Sequence, residues 1–337
     1  MSSAITDKHT HITAAEWFGR GHRVPYDPDH HCILTDDDDL STVHLMVFEW
    51  VVGSPDAEGR WITMLPGYPD GSYGYAKVDA LLGEEPLPRL YLEYVGQGDS
   101  DKPRDYPYST IERADLVEAQ WQAHGVQRTF VATFDYSSLV VLELLARQQD
   151  RLERGESLTT RIDMVFIAHG GLFADAHSHP WLTTPLLKTP LGALSMRRAQ
   201  RSPALFENIM RNAKMYAPGY GVTDAELLEL YDAIARRDGA AFLHLAAGFV
   251  AEHKAHARRW DLARLYHALH DSVAFSIAGS EEDPYEPKQI VAARARLGAA
   301  GLDIRLLPGG HLTTAEHPDL LAALIRERAL AWLQPCA

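Results

Sequence analysis

Thr129-Phe130-Val131-Ala132-Thr133-Phe134-Asp135-Tyr136-Ser137-Ser138-Leu139-Val140-Val141 is an apolar run that turns at once into a helical pattern. Residues 129–133 have the length and the β-branched and aromatic content of a buried strand, and residues 138–147 read as the helix after it. A side chain on so sharp a turn stands above the carboxyl end of the strand, where open α/β sheets bind ligands. The helix N-terminus below favours negative charge there. The residue on the turn is Asp135. A serine would need a base to take its proton, whereas an ionised aspartate can attack carbon directly. A plainer reading competes with this one, because aspartate is also a preferred helix N-cap.

Outward from this turn, strands and helices alternate. Residues 43–52, 61–65 and 90–95 read as strands before it, and 162–168, 272–278 and 303–307 as strands after it. Residues 115–124 and 318–332 read as amphipathic helices. Such alternation predicts a parallel sheet covered on both faces. Residues 172–269 change character: they are helical by pattern, as in 224–237 and 240–252, and predict an inserted lid. The expected organisation is a solvated lead-in over 1–40, an α/β core over 41–171 and 270–337, and a helical lid over 172–269.

Two further strand ends carry chemistry. Gly279-Ser280-Glu281-Glu282-Asp283-Pro284 follows one, and Pro308-Gly309-Gly310-His311 follows the next. Nucleophile, acid and histidine in that chain order is the order of the α/β-hydrolase triad. His311 would act as base and Asp283 would orient it. Glu281 and Glu282 are rivals to Asp283, read as solvated loop charge.

Three more stretches carry a family resemblance. Leu65-Pro66-Gly67-Tyr68-Pro69 resembles the HGxP oxyanion loop of α/β-hydrolases, and Gly96-Gln97-Gly98-Asp99-Ser100-Asp101-Lys102-Pro103 is similar to the turn shared by epoxide hydrolases and haloalkane dehalogenases. Phe134-Asp135-Tyr136 resembles their nucleophile elbow. Within that branch the likeness is nearest to the mesoderm-specific transcript family, through Asp135-Tyr136, Glu143-Leu144-Leu145, Gly170-Gly171-Leu172-Phe173 and Leu186-Leu187-Lys188. The resemblance implies a mostly parallel eight-stranded sheet flanked by helices, with a cap. It implies a cofactor-free hydrolase in which Asp135 forms an ester that His311-activated water hydrolyses. The backbone N–H groups of Tyr68 and Tyr136 would form the oxyanion hole. The chain departs from the pattern at Pro66 and Phe134, where histidine is usual, and at Thr133 and Ser137, where glycine is usual, with Ser138 next.

The departures bear on substrate. Dehalogenases generally hold the departing halide with a tryptophan after the nucleophile, where this chain has Tyr136. Epoxide hydrolases resemble it better, with an aromatic residue at Tyr68 and lid tyrosines as acids, for which Tyr216 and Tyr220 are the candidates. Tyr231 reads as core. Epoxide opening is therefore expected, with halide, lactone or ester hydrolysis, or ligand binding without catalysis, as alternatives. His177-Ser178-His179 reads as lid surface, with no metal site.

Composition narrows the partners. The chain has 337 residues, 46% hydrophobic and 23% charged, and a formal net charge of −14. That charge repels nucleic acid and anionic lipid, so neither is an expected partner; a small hydrophobic organic substrate is what the resemblance implies. Only Cys32 and Cys336 are cysteines, which suits free thiols and a reducing compartment. A polar N-terminus and the lack of any apolar run near ~20 residues predict a cytoplasmic protein, monomer or homodimer.

Overall fold

The computed structural model describes residues 11–35, 38, 44–83, 88–177, 189–199, 202–212, 222–239, 248–285 and 287–334. One nine-stranded sheet runs through the molecule in the order β2-β1-β3-β5-β4-β6-β7-β8-β9. Its strands are β1 (His22–Asp27), β2 (Cys32–Ile33), β3 (Leu45–Val52), β4 (Arg60–Leu65), β5 (Arg89–Leu92), β6 (Arg128–Phe134), β7 (Arg161–Ala168), β8 (Ala274–Gly279) and β9 (Asp303–Leu306). From β5 to β9 all neighbours are parallel, while β1, β2 and β3 pair antiparallel at one edge.

Every residue of β4 and all but the first of β6 are buried, as central parallel strands require. The helices α1 (Ala14–Phe18), α2 (Ala76–Leu82), α3 (Thr110–Ala123) and α4 (Ser137–Glu153) precede β7 in sequence. Two hydrophobic clusters form, one on each face of the sheet. Val131, Leu142 and Leu145 belong to one, and Phe130, Val78 and Leu321 to the other. Period-2 alternation along β6 sends Phe130 and Val131 to opposite faces.

Between β7 and β8 the described residues form helices and no strand. These are α5 (Pro190–Ala199), α6 (Pro203–Asn212), α7 (Asp224–Ala235), α8 (Phe249–Ala255) and α9 (Leu262–Leu269). α10 (Pro287–Leu297), α11 (Thr313–Glu316) and α12 (Pro318–Leu333) complete the chain. The segment before α9 is tied to α4 through Glu143, which accepts from Trp260 Nε1 at 2.7 Å and Arg259 Nε at 2.6 Å. These donors outweigh burial and hold the Glu143 carboxyl below its usual range. Among the described residues no helix is long and apolar enough to cross a membrane.

Two expectations are corrected. The sheet has nine strands rather than eight, because the short β1–β2 pair extends the antiparallel edge. Nor are the first 40 residues all solvated: Trp17, Phe18 and Tyr26 are buried. Trp17 packs edge-on against Trp50 and Tyr91 at 4.8 and 5.2 Å, and its Nε1 donates to Ser72 Oγ at 3.0 Å. The His- and Asp-rich composition of the segment masks these few aromatic anchors, whose burial outweighs the polar residues between them.

Candidate active site

The turn after β6 is a strained elbow. Asp135 has φ +53°, a region that costs a non-glycine residue about 1–3 kcal/mol and is kept where the surroundings enforce it. Its N–H donates to Ala168 O at 2.9 Å and its carbonyl accepts from Ser138 N at 3.0 Å. No side chain caps α4. The carboxylate, freed from a capping role, accepts from Tyr68 N at 3.0 Å through Oδ2. Its Oδ1 lies 3.1 Å from His311 Nε2.

Ser137, at a usual glycine position, and Ser138 beside it fit the elbow by specific contacts. Ser137 Oγ bonds Tyr94 OH at 2.7 Å and also donates to Pro66 O, tying the elbow to the loop that carries Tyr68. Ser138 lies against Gly170, where an added Cβ would sit 2.3 Å from Ser138 Cβ. Room lost at 138 is thus regained at 170. Phe134 packs its ring 5.7 Å from that of His311.

His311 follows β9 and is buried. Its Nδ1 is 2.9 Å from Asp283 Oδ2. Asp283 is anchored by Tyr285 N, which donates to Oδ1 at 2.7 Å. Burial alone would push the imidazole's pKa down, but Asp283 and Asp135 outweigh it and hold the imidazolium well above the ordinary range. Burial would raise Asp283, yet His311 and His169 hold it well below the usual carboxylate range. The resting site is therefore a cation between two carboxylates. Of the rivals to Asp283, Glu281 pairs with Arg294 at 2.8 Å on the surface and Glu282 is also exposed.

The oxyanion loop is supported from beneath. Gln97 Nε2 donates to Gly67 O at 2.8 Å. Glu93 accepts from Ser72 N and Oγ at 2.8 and 2.7 Å, and burial raises its pKa to about 7. Asp70, equally buried, is likewise pushed to about 7, with the Asp135 charge adding to burial. Gly98, at φ +44°, has no room for a Cβ, which would meet Glu93 Oε1 at 2.4 Å.

Aromatic rings pack beside the elbow. Tyr68 and Tyr136 lie 6.4 Å apart, and Phe249 of α8 packs 5.5 and 4.7 Å from them. Beneath Tyr136 lies the buried guanidinium of Arg113, 4.5 Å from the ring centroid. Tyr285, whose ring is 5.2 Å from that of His311, has its phenol raised to about 12 by burial and the nearby carboxylates.

Asp135, His311, Asp283 and the Tyr68 amide thus come together as the sequence predicts. Tyr136 is the N-cap of α4, a position whose backbone N–H has no intrahelical partner. Tyr216 and Tyr220 lie outside the described residues, as do Leu186-Leu187-Lys188, Ser178, His179 and Cys336. Tyr231 packs on Phe206 at 5.2 Å. His177 is not surface: it is buried, with Nδ1 2.8 Å from Nδ1 of His253. Sequence reading missed His169, Arg113, Phe249 and Tyr285. His169 had a usable signal, since it directly follows β7 at a strand end. Arg113 and Phe249 had none, because their neighbours are distant in sequence.

The chain is 30% identical to the mouse mesoderm-specific transcript protein over 212 residues, 62% of this chain and 60% of that protein. It therefore spans about 60% of the length of these curated relatives. A haloalkane dehalogenase from Bradyrhizobium elkani, DbeA, superposes with a TM-score of 0.62 at 16% identity, covering 85% of this chain and 94% of that one. The epoxide hydrolase CorEH superposes with a TM-score of 0.61 at 15% identity, covering 86% and 96%. At such identities the likeness is one of fold. Residues 64–324 match the alpha/beta hydrolase family, and the chain belongs to that family.

Proposed function

We propose that this protein is a hydrolase with an aspartate nucleophile, and that its substrate is an epoxide on a small hydrophobic molecule. The observation that carries the reading is the placement of the Asp135 carboxylate, with one oxygen on the Tyr68 N–H and the other facing His311. Attack by Oδ1 on a ring carbon would break the C–O bond and leave the electron pair on the ring oxygen. That oxygen takes a proton from a phenol, for which Tyr216 and Tyr220 in the lid are the sequence candidates. The ester carbonyl then occupies the place Oδ2 holds now, beside the Tyr68 and Tyr136 amides, where charge develops when water adds.

Esterification also switches the histidine. The resting imidazolium is held by two carboxylates; once Asp135 is a neutral ester, one of these charges is gone and His311 gives up its Nε2 proton more readily, becoming free to act as a base. Its Nε2 proton passes to the phenolate left by ring opening. The neutral imidazole then takes a proton from the attacking water, the tetrahedral adduct collapses with that proton going to the departing diol oxygen, and the regenerated Asp135 acid returns its proton to His311. Residues 172–269 serve as the lid, with Phe249, Tyr68 and Tyr136 as an apolar wall that suits a hydrophobic substrate. The intact contacts around Ser137 and Ser138 favour catalysis over mere binding.

A single turnover with enzyme in excess in H₂¹⁸O tests this. The product oxygen should come from Asp135, and the Asp135 peptide should gain one ¹⁸O. Label in the product alone, with none in Asp135, would mean that water attacks directly and would overturn the carboxylate mechanism.

A further inference from the structure

A second imidazole is sealed into the same network. His169, at φ +48° after β7, donates its N–H to Ala278 O at 3.0 Å, and its side chain is 0% exposed. Its Nδ1 lies 2.9 Å from Asp283 Oδ2, the same oxygen that His311 Nδ1 reaches at 2.9 Å. Its Nε2 lies 2.5 Å from Oγ1 of Thr313. Thr313 N in turn donates to His311 O at 2.9 Å. An ionised carboxylate only accepts, so both Nδ1 atoms must carry protons.

We propose that His169 is a positioning residue that limits how strongly Asp283 holds the proton of His311. One oxygen shared between two donors gives each a weaker bond than it would give one alone. Asp283 Oδ1 is occupied by Tyr285 N, so the carboxylate cannot rotate to offer His311 a fresh oxygen without losing that contact. Thr313 fixes the ring from its far side and keeps Nδ1 turned to Asp283.

The groups facing His311 are Asp135 from the elbow, Asp283 and Tyr285 from the loop after β8, His169 from the end of β7, and Asp70 from the loop after β4. Two carboxylates in contact would keep the imidazole protonated, without the free lone pair that ester hydrolysis needs. Asp135 is neutralised in the ester; Asp283 is not, and its pull is the part that His169 tempers. The consequence for catalysis rests on the aspartate-ester reading, but the electrostatic statement concerns the resting protein and is measured without substrate.

Titration of ¹⁵N-histidine-labelled full chain by NMR tests it, with His311→Gln assigning the resonance. In His169→Phe the midpoint of His311 should move up by about one pH unit, the size of one hydrogen bond to a charged group. Thr313→Val, which leaves the ring but frees its far side, should move it up by less. His169→Asn, whose amide can donate to Asp283, should return it toward wild type. An unchanged midpoint in both His169→Phe and Thr313→Val would overturn the proposal, and so would an Asn variant displaced as far as the Phe variant. Should His169→Phe not fold, an unchanged midpoint in Thr313→Val alone overturns it. Failure of the ester chemistry shows separately, in the ¹⁸O experiment.

Discussion

Replacing His311 by glutamine should convert a two-step enzyme into one that stops at the ester. The glutamine amide can still donate to Asp135 Oδ1, now 3.1 Å from Nε2, so alkylation should continue. It cannot take a proton from water. General-base catalysis is worth roughly 10²–10⁴ in rate. The structure selects the upper end: among the described residues no other imidazole faces Asp135, since His169 has both ring nitrogens engaged, by Asp283 and Thr313. His311 and Asp283 are each only 2% exposed, so bulk water offers no base either. Ester hydrolysis should therefore fall about 10³–10⁴-fold, or about 4–5.5 kcal/mol in barrier. Mixing the variant with an aryl epoxide such as styrene oxide, followed by intact-mass measurement, should reveal one adduct per chain with the mass of the whole epoxide. Peptide mapping should place it on Asp135, while the wild type shows little. Turnover within tenfold of wild type, or an adduct on another residue, would refute the assignment of base and nucleophile.

Other perturbations test the scaffold and the charges. Gly170→Ala would drive a Cβ to 2.3 Å from Ser138 Cβ; a loss of about 1–3 kcal/mol is expected in urea denaturation, and adding Ser138→Gly should recover most of it. If the double variant is no more stable than Gly170→Ala, the compensation between the two positions is wrong. Trp17→Ala, at a fully buried aromatic, should cost about 3–5 kcal/mol by the same assay; a loss below about 1 kcal/mol would mean the N-terminal segment is not part of the core. Stability should also depend on pH with a definite sign. The raised His311 gives stability that is full below its unfolded value near about 6.5 and fades as pH climbs through the folded one, so melting temperature should decline on the alkaline side, and less steeply in His311→Gln. Asp283, held low, acts oppositely and loses its contribution only as strong acid is approached. An alkaline decline as steep in the glutamine variant as in wild type would count against the ion triad.

The strand order of chemistry was legible in the sequence because backbone periodicity and strand ends are local. Each of the seven strands read from apolar runs exists, and Asp135, Asp283 and His311 follow β6, β8 and β9. An elbow forces its residue to the top of the sheet whatever lies elsewhere, so the likeness of short motifs sufficed. Pairings between distant segments were not legible. Nothing local in Trp17 announces Trp50 and Tyr91, and nothing in Ser138 announces Gly170. The His177–His253 contact joins residues 76 apart, and His169 meets Asp283 across 114.

By itself, then, the sequence determined the alternation of elements, the family and the three side chains at the strand ends, since those depend on neighbours along the chain. The tertiary structure alone decided that Asp135 is no helix cap, that its two oxygens divide between an amide and an imidazole, and that Asp283 serves two histidines. Those facts depend on which groups share a few ångströms of buried space after the sheet has brought distant loops to one edge.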